Sequence, residues 1–479
     1  MGCGKWPPIY DEAYTPKPDQ RYWFPDRETM KPEEREKIIL RKLRAQMRYA
    51  YDNAPFYHRR WEDAGIHPDD IATLRDFRRV PFVYKQDIRE DQAKNPPFGS
   101  YLCIPNEKIF TIHGTSGTTG KPTAFALSEG DVKRIANAHA RVMWGFGLRP
   151  SDKVMITSVF SLYLGSWGAL WGVRRLGAAA FPFGAGAPGM TRMAVRWAAE
   201  VKPTALYGTP SYALYLAEVA REMGVDPRVD FNFRIMFFSG EPGAGVPSVK
   251  RRIEETFDCR CVDTGSTAEM TPWMTNGECE HRTGMHLWQD IVYTEVVDPD
   301  TGEVVDYGEE GVPVYTHLER DSQPMIRFFS GDLTKWTDEP CECGRTYPRL
   351  PNGVYGRVDD MFIVRGENIY PSAVQEALER TEGYGGEFRV VITREREMDV
   401  MTVQAEYSEE VGEKARVDPT ILERVRDAME ENIKTLCGVR GVVDLVPYHT
   451  FERTEFKARR VADKRDLYEE LRRLAEREV

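Results

Sequence analysis

Val154-Met-Ile-Thr-Ser-Val-Phe-Ser-Leu-Tyr-Leu-Gly-Ser-Trp-Gly-Ala-Leu-Trp-Gly-Val173 runs for twenty residues without a charge. Its length suits a membrane span, but glycines and serines break it into pieces. Val154–Phe160 reads as a strand, Ser166–Leu176 as a helix and Ala178–Phe183 as a second strand. Strands that are apolar on both faces, joined through a helix, belong to a buried parallel sheet. The stretch is therefore core, not membrane.

Downstream the alternation continues. Helices are expected over Ala194–Glu200, Pro210–Met223 (Pro at its first turn) and Val246–Phe257, with strands at Ala205–Tyr207, Arg234–Phe238 and Arg260–Val262. Alternating strands and helices predict an α/β sheet flanked by helices. After about residue 285 strands and turns dominate, including Asp298-Pro-Asp-Thr-Gly302. From about residue 360 a smaller α+β region begins. It holds strands Arg389–Thr393 and Met401–Tyr407, helix Pro419–Leu436 and a charged C-terminal helix.

The chain has 479 residues, 41% hydrophobic and 29% charged, with a net charge of −11. It is too long for one ordinary core and has the composition of a soluble globular protein. The acidic balance argues against nucleic acid and anionic membranes as partners. The start Met1-Gly2-Cys3-Gly4-Lys5-Trp6 lacks a signal peptide's layout, so a cytoplasmic location is expected.

Upstream of the sheet stands His113-Gly-Thr-Ser-Gly-Thr-Thr-Gly-Lys-Pro122. Its glycines let backbone N–H groups turn around an anion; Thr115, Ser116, Thr118 and Thr119 add hydroxyl donors, and Lys121 adds charge. A glycine-rich turn between strands at Lys108–Ile112 and Thr123–Leu127 suits a phosphate grip. Phe238-Ser-Gly-Glu-Pro242 and Asp263-Thr-Gly-Ser-Thr-Ala-Glu269 each close a strand in a glycine turn, where open α/β sheets bind ligands. Ser330-Gly-Asp-Leu333 offers Asp332 to a ribose diol. Gly356-Arg-Val-Asp-Asp-Met361 marks the change of texture, Arg365-Gly-Glu-Asn-Ile-Tyr-Pro371 follows it, and Arg453-Thr-Glu-Phe-Lys-Ala-Arg-Arg460 sets Lys457 in a basic loop.

These motifs, in this order, resemble the adenylate-forming superfamily of acyl-CoA synthetases, peptide-synthetase adenylation domains and luciferases. Ser116–Pro122, Thr209-Pro-Ser-Tyr-Ala-Leu214, Gly284-Met-His-Leu-Trp-Gln-Asp290 and Arg365–Pro371 resemble its phenylacetate–CoA ligase branch. The resemblance implies a large adenylation domain over residues 1–358, with multi-layered parallel and mixed sheets. A small mobile α+β domain, 359–479, would carry the catalytic lysine.

It also implies ATP-dependent activation of a carboxylic acid as acyl-adenylate, then transfer to coenzyme A; transfer to an amine or carrier protein, or mere nucleotide binding, are the alternatives. Thr115, Ser116, Gly117, Thr118, Thr119, Gly120 and Lys121 would hold phosphates. Gly240, Glu241, Pro242, Asp263, Thr264 and Gly265 would border adenine. Asp332 and Arg357 would hold ribose, Glu269 would ligate Mg²⁺, Lys457 would neutralise the reacting charges, and Asp359 would be the hinge. Two positions depart from the pattern: Ala268 replaces the usual hydroxyl before Glu269, with Thr267 beside it, and Phe456 replaces glycine before Lys457.

Eight cysteines without a secretory signal do not suggest a disulfide framework. By the same resemblance Cys279, His286, Cys341 and Cys343 would bind structural zinc, with His281 as rival ligand and Cys259/Cys261 as rival pair. Phe160, Tyr163 and Trp167 stand where that branch lines its acyl pocket, and aromatic walls suit an aromatic acid. The expected partners are this acid and coenzyme A, with a homodimer as the expected assembly.

Overall fold

A computed structural model of the chain describes residues 6–7, 14–115, 123–184, 190–240, 244–358, 362–369, 371–395, 398–451 and 461–465. Helices α1 (Pro25–Glu28), α2 (Pro32–Asn53), α3 (Pro55–Asp63), α4 (Leu74–Phe77) and α5 (Lys85–Lys94) open the chain. Strands β1 (Thr111–Gly114) and β2 (Ala124–Leu127) pair antiparallel, His113 opposite Phe125. The loop they flank is the glycine-rich stretch.

The central sheet follows the expected alternation. Its strands are β3 (Lys153–Ile156), β4 (Ala179–Pro182), β5 (Ala205–Gly208), β6 (Ile235–Phe238) and β7 (Arg260–Asp263), in spatial order β4-β3-β5-β6-β7 and all parallel. Along each strand alternate side chains enter two different cores. Leu206, Met236 and Phe238 pack on one face, while Tyr207, Ile235, Phe237 and Val262 pack on the other. That is why these strands are apolar without interruption.

Helices α6 (Glu129–Gly145), α7 (Leu164–Leu176), α8 (Met190–Val201), α9 (Pro210–Glu222) and α10 (Pro247–Phe257) fill the connections. Pro starts α9 and α10, and α7 ends on Gly177 at φ 87°, the asymmetry that caps favour. The strand expected to reach Phe160 stops at Ile156. Thr157 still donates to the Tyr207 carbonyl, backbone and hydroxyl both at 2.9 Å, after which the chain leaves the sheet as an aromatic loop. Among the described residues no helix is long and apolar enough to cross a membrane.

Two antiparallel sheets follow. Short strands β8 (Asn276–Gly277), β9 (Met285–Leu287) and β14 (Arg349–Leu350) form one; β10 (Val292–Val297), β11 (Glu310–His317), β12 (Phe328–Phe329), β13 (Asp332–Lys335) and β15 (Gly356–Arg357) form the other. The last region has hairpin β16 (Phe362–Val364)–β17 (Glu367–Ile369), strands β18 (Tyr384–Glu395), β19 (Met398–Tyr407), β20 (Val442–Val446) and β21 (Val461–Asp463), and helices α11 (Pro371–Glu379), α12 (Glu409–Ala415) and α13 (Thr420–Cys437). Its sheet runs β20-β19-β18-β21, and it buries a core drawn entirely from residues 362–461. The expected charged C-terminal helix lies outside the described residues.

Residues 22–35 are tied to the segment 343–346, more than three hundred residues on. Tyr22 donates to the Cys343 carbonyl at 2.8 Å, Glu28 pairs with Arg345 at 2.9 Å with both side chains fully buried, and Arg35 donates to the Thr346 carbonyl at 2.9 Å.

Candidate active site

The carboxyl ends of β6 and β7 carry the glycine turns. Gly240 takes φ 90° and Gly265 φ 136°, values that L side chains rarely adopt. A Cβ on Gly265 would stand 3.2 Å from Ser239 Cβ, so the backbone is left bare there. Thr264 spends its hydroxyl on the Phe238 carbonyl at 2.7 Å and so locks β7 to β6. Asp263 points its carboxylate toward Gly245 and Gly353. Burial, then the neighbouring Glu278, pushes that carboxyl up to about 7, although Lys250 opposes the rise.

Glu269 lies in the short helical turn Ala268–Met270 and is buried. Its Oε1 is 3.1 Å from Lys85 Nζ at the start of α5. Burial alone raises the carboxyl; the Lys85 charge, then a backbone N–H and the Thr267 hydroxyl, reverse this and hold it below the usual range. Thr115 Oγ1, Thr123 Oγ1 and Ser266 Oγ are buried with no hydrogen-bond partner among the described residues. Buried hydroxyls are normally paired, so oxygen donors at the ends of the phosphate loop and beside Glu269 await a polar ligand. An all-oxygen set is the chemistry Mg²⁺ takes.

Helix α5 ties these pieces together. Lys85 reaches Glu269, and Gln92 clamps Ala124 of β2, accepting its N–H at 3.0 Å and donating to its carbonyl at 2.7 Å. Sequence reading missed Lys85. Its one local signal is electrostatic: a cation at a helix N-terminus opposes the helix dipole.

Asp332 and Arg357 face each other in the β13–β15 register and form an ion pair. Beyond them, Arg365 and Gly366 take φ 53° and 83° between β16 and β17, the positive values that two-residue hairpins of this kind need. This hairpin tip meets the large region: a Cβ on Gly366 would stand 3.9 Å from Thr209 Cγ2, and one on Gly240 3.8 Å from the same methyl. Ser116, Gly117, Thr118, Thr119, Gly120, Lys121, Glu241, Pro242, Asp359, Phe456 and Lys457 lie outside the described residues.

Phe160, Tyr163 and Trp167 are half-buried along the loop and first turns of α7. Phe160 meets Trp167 edge-on at 5.2 Å. Tyr163 folds over Gly165 and brings its hydroxyl to 3.2 Å from where a Gly240 Cβ would be. The His113 ring is 6.3 Å from Trp167 and 5.7 Å from Trp171, and burial pushes it down to about 4, so it is neutral at pH 7.

A second constellation stands apart from the cleft. Cys279, His286, Cys341 and Cys343 are all buried, with ligand atoms within 4.8 Å of one another. Cys279 Sγ is 3.8 Å from Cys341 Sγ, and Cys343 Sγ 3.4 Å from His286 Nε2. With Zn–S near 2.3 Å, a tetrahedral site needs sulfurs about 3.8 Å apart, so the donor set fits zinc. Backbone N–H groups of His281 and Arg345 donate to Cys279 and Cys343 sulfur at 3.4 and 3.3 Å. The rival His281 faces Glu342 instead, at 3.2 Å. Cys259 and Cys261 lie outside the cluster, against one of the sheet's cores.

Comparison with known proteins agrees with this geometry. The AMP-binding enzyme family matches residues 37–314, and the AMP-binding enzyme C-terminal domain matches residues 366–465. Phenylacetate-coenzyme A ligases of Thermus thermophilus and Pseudomonas putida are each 33% identical, over 92% and 89% of this chain and 99% and 93% of theirs. A crystal structure of 2-hydroxyisobutyryl-CoA ligase with 2-HIB-AMP and CoA, in the thioesterification state, is 54% identical with a TM-score of 0.95, covering 100% of this chain and 99% of its own. The same ligase in the postadenylation state with 2-HIB-AMP gives a TM-score of 0.72, over 98% of both chains. The chain belongs to the AMP-binding enzyme family, in the phenylacetate–CoA ligase branch of the adenylate-forming acyl-CoA ligases.

Proposed function

We propose that this acyl-CoA ligase activates a short, branched 2-hydroxy acid of the 2-hydroxyisobutyrate type. The observation that carries the reading is the 54% identity to 2-hydroxyisobutyryl-CoA ligase along the whole chain, against 33% to the phenylacetate ligases. The wall around the acid supports it: Tyr163 folds back over Gly165 toward Gly240, which suits a small acyl group. An aromatic acid is the second reading, favoured by the Phe160–Trp167 pair.

In the first half-reaction the substrate carboxylate attacks the α-phosphate and pyrophosphate leaves; in the second the CoA thiol attacks the acyl-adenylate and AMP leaves. In this reading Thr115–Lys121 grip the β- and γ-phosphates, while Gly240–Pro242 and Asp263–Gly265 border adenine. Asp332 and Arg357 hold the ribose. Glu269 would hold Mg²⁺, which would neutralise phosphate charge, and Lys457 would stabilise the charge that develops during attack. The small domain would swing about Asp359 between the two steps. The higher TM-score to the thioesterification state, and the Gly366 tip against Thr209, support a thioester-forming arrangement for this conformation. Cys279, His286, Cys341 and Cys343 would hold a structural zinc ion, and a cytoplasmic setting suits such thiolates.

Acid-dependent pyrophosphate release across 2-hydroxyisobutyrate, 2-hydroxybutyrate, phenylacetate and benzoate tests the acid. The expected result is a kcat/KM at least about tenfold higher for 2-hydroxyisobutyrate than for either aromatic acid, one methylene-sized contact or hydroxyl partner being worth that much. A preference for phenylacetate or benzoate overturns the reading.

A further inference from the structure

Lys85 is out of place for a structural residue. It is the first residue of α5, whose N-terminus is already organised by Asp87 accepting the Tyr84 N–H at 2.9 Å. A cation there is opposed by the helix dipole. Its ammonium leaves the surface, at 19% side-chain exposure, to sit 3.1 Å from a Glu269 carboxylate that is 3% exposed. A carboxylate that deeply buried needs a positive partner, and the chain supplies one from a helix 184 residues upstream. Close by in the chain, Ser266 keeps a buried hydroxyl without a partner among the described residues, as do Thr115 and Thr123 at the two ends of the glycine-rich stretch.

We infer that Lys85 is a displaceable counter-cation: it occupies Glu269 when no divalent ion is bound, and it moves to phosphate oxygen when the metal–nucleotide complex arrives. The inference rests on reading Glu269 as the magnesium carboxylate. An ammonium on a flexible stem is suited to this exchange, because it makes single-point contacts and can rotate between acceptors. Since α5 also clamps β2 through Gln92, Lys85 and the strand leaving the phosphate loop are carried on one rigid unit. The consequence is a cleft that resists divalent metal alone and accepts it together with phosphates, which give the displaced lysine a new partner. Once pyrophosphate has left, Lys85 returns to Glu269 and keeps the cleft neutral for the thioester step.

The test is Mn²⁺ binding to the full-length, nucleotide-free protein, followed by the free-Mn²⁺ electron paramagnetic resonance signal. Removing one competing buried cation should tighten Mn²⁺ binding about tenfold in Lys85→Met, and equally in Lys85→Gln should the first variant fold poorly. Lys85→Arg should remain as weak as the wild type. With ATP present the gap between wild type and Lys85→Met should close or reverse. Unchanged or weaker Mn²⁺ binding in both neutral variants overturns the inference and leaves Lys85 a structural partner. Adding Glu269→Gln to Lys85→Met separates the two readings. If the tightened Mn²⁺ site persists in that double variant, it is the magnesium role of Glu269 that fails, and the exchange with it.

Discussion

Two clusters in this chain have the makings of a metal site, and they are built on opposite principles. The Cys279–His286–Cys341–Cys343 cluster is soft, buried and closed: four protein donors gather within 4.8 Å of one another, and backbone N–H groups support two of the sulfurs. The Glu269 site is hard: one buried carboxylate, a lysine 3.1 Å away that balances it, and the Ser266 hydroxyl close by in the chain without a partner among the described residues. A closed site holds structure and an open one keeps room for a substrate. The difference predicts that damage to the first is read in stability and damage to the second in rate.

The largest effect should come from the proposed catalytic lysine. Lys457→Ala should slow adenylate formation about a thousandfold, the scale of losing a main charge-stabilising group, while ATP binding and melting temperature stay near wild type. Unchanged pyrophosphate exchange in that variant would break the assignment. On the closed side, metal analysis should find about one zinc per chain in the wild type, on the proposed reading, and none in Cys343→Ser. The substitution should also lower the melting temperature by about 10 °C or more, since structural zinc contributes folding free energy outright. The kcat of the protein that remains folded should hold within about twofold, and a drop in kcat with intact stability would erase the contrast between the sites.

Smaller changes sharpen the picture. Asp332→Ala removes the ion-pair partner of Arg357 and, on the proposed reading, a ribose contact, and should raise the KM for ATP about tenfold; an unchanged KM would move the ribose elsewhere. Asp263 gives the mildest effect, with a definite sign. Its folded pKa of about 7 lies above its ordinary 3.8, so the folded state keeps a proton that the unfolded chain gives up. Its contribution to stability is full below about pH 4 and is lost as pH rises to about 7. Asp263→Asn should therefore melt at a higher temperature relative to wild type at pH 8 than at pH 5. Equal offsets at the two pH values would show that the carboxyl is not perturbed.

How much of this was legible in the sequence follows the range of the forces involved. The strands and helices from Lys153 to Asp263 fall within a few residues of expectation, because strands buried on both faces leave an unbroken apolar record and proline and glycine mark their ends. That Asp332 lies opposite Arg357 was not legible, because the register of their strands is set across a connection that includes β14. The cysteine cluster, His286 included, could be named by family resemblance, and the fold brings His286 rather than the rival His281 to the three sulfurs, with β9 paired to β14 at His286 and Arg349. Lys85 was not legible. Its meaning depends on a partner 184 residues away, and a single lysine after a tyrosine carries no pattern. Tyr163 folding back toward Gly240, across 77 residues of sequence, was likewise not legible in the chain.

The ties of Tyr22, Glu28 and Arg35 to Cys343, Arg345 and Thr346 have a consequence in time. Glu28 and Arg345 are 317 residues apart, and ribosomes add roughly 5–20 residues per second. The opening segment therefore waits roughly 16–63 s for its partners to be made. During that interval Trp23, fully buried in the finished fold, is exposed on the nascent chain. Synthesis of the segment 343–346 is then the event that lets the beginning of the protein settle, because Tyr22, Glu28 and Arg35 have their partners there.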